Sequence, residues 1–130
     1  MFISPNYISF LLALLCSSNP ATAKELTCES SEIERPDYFG TEIINVVAKE
    51  INGFEDWSMA EDVSLPLNRD PMDFCSVTIT YTHPGLNDTV NVFIWLPQKW
   101  NGNFLGQGGG SWTAGFESWL APGVSLGCSL

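Results

Sequence analysis

The segment Ser76-Val77-Thr78-Ile79-Thr80-Tyr81-Thr82 decides the fold, because apolar or aromatic side chains alternate along it with serine and threonine. This alternation is typical of a β-strand with one buried face. A second apolar run covers residues 89–96, after His83-Pro84-Gly85-Leu86-Asn87-Asp88, whose Pro-Gly and Asn-Asp pairs favour a turn. The sequence therefore predicts an antiparallel hairpin, and we expect its second strand, apolar on both faces, to be covered on both sides.

The region before the hairpin divides into a candidate strand and an acidic loop. Residues 41–51 are rich in β-branched side chains whose spacing fits either a helical face or a strand. Because Gly40 and Gly53 limit this segment to strand length, a strand is the preferred interpretation. Residues 54–74 hold two prolines and six carboxylates and are predicted to form a loop. These carboxylates lack the ligand spacing of an EF-hand, which favours a solvated loop over a calcium site.

After the hairpin the chain runs into its glycine-rich stretch. Pro97 ends the second strand, residues 100–102 predict a turn, and residues 104–105 predict a short strand that opens into Gly108-Gly109-Gly110-Ser111. Consecutive glycines lose much conformational entropy on ordering, so a fold keeps them where φ is positive or something approaches the main chain. The two interpretations are a nest of N–H groups for an anion or developing oxyanion, and a flexible turn between two tryptophans.

The segments outside the hairpin and the glycine-rich stretch carry weaker patterns. Residues 24–38 are polar and acidic and are predicted to form an extended arm pinned by Cys28. Residues 117–122 predict a short helix that Pro122 and Gly123 end. Residues 124–130 lead toward a further strand.

The N-terminal segment and the charge indicate the compartment. Residues 8–16 are apolar, uncharged and too short to span a bilayer, and Ala21-Thr22-Ala23 follows. This pattern predicts a signal peptide over residues 1–23, secretion, and no membrane association of the remainder; a buried helix or a retained anchor is the alternative. The 5 basic residues are scattered singly against 15 acidic ones, which excludes nucleic acid as a partner. Residues 24–130 suffice for one domain or part of one.

Removal of the signal peptide leaves three cysteines in an oxidising compartment. Cys28 and Cys75 flank the acidic region, and a disulfide between them is worth roughly 3 to 4 kcal/mol in the chain-entropy model. Cys128 is then unpaired, either because its partner is missing or because it is a buried free thiol. Asn87-Asp88-Thr89 is an N-glycosylation sequon in the predicted hairpin turn. His83, the sole histidine, is interpreted as a turn residue rather than a catalytic base.

Several segments in this order resemble the opening of the fungal tannase and feruloyl esterase family. They are residues 75–84, residues 88–92, Trp95-Leu96-Pro97, and residues 100–104 followed by Gly108-Gly109-Gly110. The resemblance implies a secreted serine esterase that hydrolyses esters of phenolic acids with a Ser-His-Asp triad. It also implies an α/β-hydrolase core and an inserted lid domain that often holds calcium.

The glycine-rich stretch is the only segment that the resemblance matches to functional positions of the family. The main-chain N–H groups of Gly109, Gly110 and Ser111 are the candidates for an oxyanion hole, with Ser111 where the family usually has a fourth glycine. The family's Cys-Ser-x-Gly-Gly nucleophile motif and its later Asp and His-Cys are absent. The expectation is thus an α/β fold in which residues 24–130 form an incomplete N-terminal part of a hydrolase sheet, inert alone and without a cofactor of its own.

A second hypothesis belongs to another functional class. The chain is then a small secreted, acidic, β-rich binding or effector-like protein whose exposed aromatic side chains stack on sugars or phenolics. The candidate residues are Trp57, Trp100, Trp112 and Trp119. For Trp112, the alternatives are the wall of an acyl pocket and a packed core residue.

Overall fold

A computed structural model describes residues 27–57, 67 and 69–130. The predicted signal peptide, residues 1–23, lies outside the described residues, as do residues 58–66 of the acidic segment.

Three antiparallel strands form the sheet, in the order β1-β2-β3. They are β1 (Glu42–Phe54), β2 (Met72–Thr82) and β3 (Val90–Pro97). The predicted hairpin is confirmed, with Val77 opposite Ile94 and Tyr81 opposite Val90. The preference for a strand over a helix in residues 41–51 is also confirmed, since Ala48 lies opposite Val77.

The loop predicted for residues 54–74 is wrong at its C-terminal end. Strand β2 begins at Met72, which pairs with Phe54, and Phe74 pairs with Ile51. The side chains of Met72 and Phe74 are buried, since the two residues are 9 % and 1 % exposed. Burial against the neighbouring strand outweighs the turn and loop signals of the acidic segment in which they lie.

One face of the sheet is buried under the helical part of the chain. Phe74 and Trp95 stack at a centroid distance of 4.2 Å, and Phe54 meets both rings edge-on. The chain after β3 covers them with a 3₁₀-helix, Glu117–Leu120, and α1, Ala121–Ser125. The residues that these helices and the following segment add to the core are Leu120, Ala121, Val124 and Leu130.

The opposite face is covered by the N-terminal arm. Val46, Cys75 and Val77 are its buried residues, and Ile33 of the arm packs against them. The predicted disulfide between Cys28 and Cys75 is present and ties the arm to β2. The arm also shields an edge of the sheet, because the Ser30 hydroxyl accepts a hydrogen bond from the Ala48 N–H at 2.8 Å.

The two-sided cover predicted for β3 holds for only part of the strand. Trp95 is 4 % exposed, whereas Val92 and Phe93 are 40 % and 36 % exposed. The helices lie over the end of the strand near Trp95. Cover on both sides is therefore wrong for the half of β3 next to the hairpin loop.

The helix predicted near residues 117–122 exists, but its predicted end is wrong. Pro122 and Gly123 lie inside α1. Pro122 stands in the first turn, where a missing N–H costs no helical hydrogen bond. Gly123 packs closely there, because a Cβ would force the side chain of Leu130 to move.

The final residues lie between β3 and the segment that precedes the glycine-rich stretch. Trp95 and Leu130 exchange backbone hydrogen bonds of 2.8 and 3.1 Å. On the other side, Ser129 forms an isolated parallel bridge with Phe104. The strand predicted for residues 104–105 is therefore reduced to one bridge. A parallel pair joined through helices is a crossover connection, and the whole arrangement is compatible with part of a larger domain.

Candidate functional site

The glycine-rich loop, residues 106–115, leaves the edge of this structure next to the Phe104–Ser129 bridge. Its first end is fixed by two backbone hydrogen bonds, from Leu105 N–H to Ser129 C=O at 2.8 Å and from Ser129 N–H to Asn103 C=O at 3.1 Å. The loop therefore starts from a position that the sheet and the last residues of the chain define together.

Asn101 strengthens this first end. Its side-chain Oδ1 accepts a hydrogen bond from the Asn103 N–H at 2.8 Å, which closes an Asx-turn. Its Nδ2 donates to the C=O of Leu126 at 2.7 Å, and its N–H donates to the C=O of Gly127 at 2.9 Å. The sequence predicted a turn here but not the tie to residues 126–127, because that contact spans 25 residues.

Glu117 fixes the second end of the loop. Its Oε1 accepts hydrogen bonds from the indole Nε1–H of buried Trp95 at 3.0 Å and from the Ser76 hydroxyl at 3.2 Å. These contacts join the start of the 3₁₀-helix to β2 and β3. Sequence reasoning missed this role of Glu117, because its partners lie 22 and 41 residues away and no local pattern predicts these contacts.

The middle of the loop closes on itself through its backbone. A Cβ on Gly109 would overlap the carbonyl oxygen of Thr113 and lie 2.5 Å from the N of Gly115, so only glycine fits there. The Thr113 N–H donates to the C=O of Gly110 at 3.1 Å. Ser111 has φ of +56°, a left-handed conformation that a side chain disfavours. In the described conformation this segment is a compact turn.

Two of the three consecutive glycines have no such steric reason. A Cβ on Gly108 or Gly110 would meet nothing within 4 Å, and the same holds for Gly106. None of these three is among the residues with positive φ. The predicted site residues Gly109, Gly110 and Ser111 are therefore adjacent and exposed, with open space beside Gly110.

The tryptophans proposed for stacking fall into two groups. Trp112 and Trp100 are 103 % and 60 % exposed, whereas Trp57 and Trp119 are half-buried. The interpretation of Trp112 as a packed core residue is wrong for the described part of the chain. Trp100 is oriented by a hydrogen bond of 2.8 Å from its indole N–H to the C=O of Asn103.

A cleft of about 240 Å³ lies beside Glu117, on the helix-covered face of the sheet. Phe54, Phe74 and Trp95 form its apolar wall, and Ser76 and Glu117 contribute polar atoms. None of the glycines of the loop lines it. The cleft and the glycine-rich loop are therefore separate features that share Glu117 as a neighbour.

The hydroxyl and imidazole groups of the chain do not form a catalytic pair among the described residues. His83 Nδ1 lies 2.5 Å from Asp88 Oδ2, and the Thr82 hydroxyl donates to the same carboxylate rather than to the imidazole. Ser76 is engaged with Glu117, and Ser129 is buried at 9 % exposure. His83 accordingly acts within the turn that the sequence predicted for it.

Asp88 organises the hairpin loop between β2 and β3. Its Oδ1 accepts the His83 N–H at 2.8 Å and the Thr82 hydroxyl at 3.0 Å. The hydrogen bond from the His83 backbone, then that from its imidazole, lowers the pKa of Asp88 from 3.8 to about 2. The preceding residue, Asn87, has φ of +53° and is exposed.

Metal-binding clusters and membrane-spanning helices are absent among the described residues. No group of three or more His, Cys, Asp or Glu side chains among them is placed to hold a metal ion. Neither of the helices in residues 117–125 has the length and apolar character needed to cross a bilayer. Cys128 is a free, half-buried thiol that packs against the helix-covered core.

Comparison with known proteins gives one informative similarity. Over an alignment of 133 positions, the chain is 35 % identical to a protein of Arthroderma benhamiae named "Probable feruloyl esterase". The alignment covers 99 % of this chain and 24 % of that protein, so the chain spans about a quarter of the relative's length. This supports a feruloyl esterase-like relationship. No protein-family model matches the chain, and no solved structure does.

Proposed function

We propose that this chain is the N-terminal part of a secreted carboxylic ester hydrolase of the feruloyl esterase type, built on an α/β-hydrolase sheet. In this proposal the glycine-rich loop supplies main-chain N–H groups to the oxyanion hole. The observation that carries it is the open space beside Gly110 in a loop fixed at both ends by Asn101 and Glu117. Open space beside a glycine allows another group to approach its main chain closely.

Two further observations support the proposal. The similarity to the Arthroderma benhamiae protein runs along nearly the whole chain, so it includes the loop and both of its fixed ends. The parallel bridge between Phe104 and Ser129, joined through helical residues, is the kind of connection on which α/β sheets are built. The hairpin, the short bridged segment and the glycine-rich loop follow one another as in the N-terminal part of a hydrolase sheet.

The proposed chemistry is acyl transfer. A serine activated by histidine attacks the ester carbonyl, and negative charge develops on the carbonyl oxygen in the tetrahedral intermediate. Preorganised N–H groups at Gly109, Gly110 or Ser111 would stabilise that oxygen, an effect worth about 3 kcal/mol per donor in other enzymes. The serine, histidine and aspartate would come from outside this chain, as would the lid domain with its calcium. Substrates would be esters of phenolic acids.

The test combines the isolated chain with a chimera. We expect the isolated chain to leave methyl ferulate, methyl gallate and p-nitrophenyl acetate unhydrolysed, because no serine is paired with His83 among the described residues. Residues 27–130 would then replace the matching segment of the Arthroderma benhamiae protein, with the unmodified protein as control. The proposal predicts that a correctly folded chimera hydrolyses any ester that the unmodified protein does. Rapid hydrolysis by the isolated chain, or a folded but inactive chimera, would contradict it.

The exposure of Trp112 and Trp100 favours a second candidate function. In this alternative the chain is a small secreted acidic protein that binds sugars or phenolics by stacking them on these rings. It predicts a cooperative unfolding transition for the isolated chain and quenching of tryptophan fluorescence by the ligand, lost in Trp112→Ala. An esterase part predicts aggregation or a broad transition, because apolar side chains such as Phe104 stay uncovered.

A further inference from the structure

The exposed tip of the hairpin presents an acceptor for a covalent modification. Asn87-Asp88-Thr89 is the sole Asn-x-Ser/Thr sequence without a central proline in the 130 residues. Asn87 and Thr89 are both exposed, and neighbouring Leu86 is 71 % exposed. Both residues that the modifying enzyme must recognise are therefore at the surface.

The backbone of Asn87 adopts a conformation typical of tight turns. Its φ of +53° is a left-handed conformation that asparagine adopts more readily than most residues. Among the described residues, no hydrogen bond engages the side-chain amide of Asn87. A group attached to this nitrogen would break no contact of the fold.

The middle residue of the sequon holds the loop in place instead. Asp88 is bound by the His83 N–H and imidazole and by the Thr82 hydroxyl, and the Asp88 C=O accepts a further bond of 2.8 Å from that hydroxyl. The partners of this carboxylate are Thr82, the last residue of β2, and His83, which follows it. The folded loop is therefore compatible with modification of Asn87, while Asp88 holds the loop in its conformation.

We propose that Asn87 carries an N-linked glycan. In the transfer, Nδ2 of Asn87 forms a bond to the anomeric carbon of a lipid-pyrophosphate-linked oligosaccharide. The bond between that carbon and the pyrophosphate breaks, the lipid pyrophosphate leaves with the electron pair, and one amide proton passes to a base of the transferase. The inference stands apart from the esterase function, since it uses only the sequon, its exposure and entry into the secretory pathway.

A further consequence concerns the surface around the tip. Leu86 is a large apolar side chain open to solvent beside Asn87. A hydrophilic glycan on the adjacent residue would shield it, so the glycosylated chain should aggregate less than the unglycosylated one.

The test uses the full chain secreted from a eukaryotic host, with a parallel arm in which a well-characterised leader replaces residues 1–23. We expect a mobility shift that peptide N-glycosidase removes, with aspartate left in place of Asn87 in the mass spectrum. Thr89→Ala should abolish the shift, and the matched variant Thr89→Ser, which preserves the sequon, should retain it. Asp88→Asn should also retain it, because this variant keeps the sequon while removing the carboxylate.

Entry into the pathway is measured in the same samples by formation of the Cys28–Cys75 disulfide. A disulfide-bonded chain without glycan, in the arm with the replaced leader, would overturn the proposal. So would a shift that persists in Thr89→Ala. A glycan found only in that arm would support the modification site and contradict the signal peptide proposed for residues 1–23.

Discussion

The hairpin loop, residues 83–89, and the glycine-rich loop, residues 106–115, are both exposed, and each contains a non-glycine residue with left-handed φ. The hairpin loop is held from within by the carboxylate of Asp88. The glycine-rich loop is held at its ends, by Asn101 and Glu117, and closes through its backbone at Gly109. The carboxylate of Asp88 is bound within the first loop, whereas the second loop leaves backbone beside open space. This difference is what separates a structural turn from a candidate binding surface.

Of the substitutions that test this difference between the two loops, Gly109→Ala should have the largest effect on stability. The added Cβ overlaps the backbone of Thr113 and Gly115, so the loop must open, at a cost of about 2 to 3 kcal/mol. Urea unfolding and the rate of proteolysis within residues 106–115 measure it. The control is Gly110→Ala, whose Cβ enters open space and should leave stability unchanged or slightly higher. Equal effects of the two substitutions would contradict the backbone closure.

A somewhat smaller effect is expected from Glu117→Ala, which frees the second end of the glycine-rich loop. The indole N–H of Trp95, whose side chain is only 4 % exposed, loses its acceptor, which costs about 1 to 2 kcal/mol. Glu117→Gln keeps an acceptor oxygen and should recover most of that loss. Chemical denaturation followed by tryptophan fluorescence gives both values. If the two variants were equally destabilised, the hydrogen bond would not be the cause.

The hairpin loop should respond to pH through the carboxylate of Asp88. Because the folded pKa of Asp88 is lowered from 3.8 to about 2, its contribution to stability is complete above about pH 4 and disappears as the pH falls toward 2. Asp88→Asn should remove this part of the pH dependence while leaving the loop at residues 106–115 unaffected. Amide hydrogen exchange of both loops between pH 2 and 5 provides the measurement. Unchanged pH dependence in Asp88→Asn would exclude the carboxylate as its source.

The smallest effect is expected at the two left-handed residues. Ser111→Gly should stabilise the chain by about 0.5 kcal/mol, because glycine adopts φ of +56° without the steric cost of a side chain. The matched substitution Asn87→Gly, at φ of +53°, should change stability less, since asparagine already tolerates this conformation. Thermal unfolding compares the two. A larger gain at residue 87 than at residue 111 would reverse the expected order.

The elements that the sequence predicted correctly depend on local patterns. The alternation in residues 76–82 identifies β2, and the turn residues after it identify the hairpin. The strand expected within residues 41–51 is present, but Gly53 does not end it, because β1 continues to Phe54. The disulfide from Cys28 to Cys75 was expected because these two of the three remaining cysteines flank the acidic region, and it is present. In each case the information lies within one segment or in composition.

The features that sequence reasoning missed depend on contacts between distant segments. The indole of Trp95 meets Glu117 across 22 residues, and Asn101 reaches Leu126 across 25. Gly123 lies inside α1, where the side chain of Leu130 occupies the space that a Cβ would need. Local sequence patterns do not reveal this contact. The sequence predicted Gly109, Gly110 and Ser111 as one group. The backbone distances distinguish Gly109, which closes the loop, from Gly110, which faces open space.

The central claim is that the glycine-rich loop supplies main-chain N–H groups to the oxyanion hole. Its most direct test is the rate at which two variants of the chimera hydrolyse methyl ferulate. Gly110→Ala and Gly106→Ala each add one methyl group where the described chain leaves space, so neither should affect folding. If the N–H groups near Gly110 hold the oxyanion, Gly110→Ala should lower kcat/KM about 100-fold by displacing the ester carbonyl, with Gly106→Ala close to the parent chimera. Equal rates for both variants, at the level of the parent chimera, would contradict the claim.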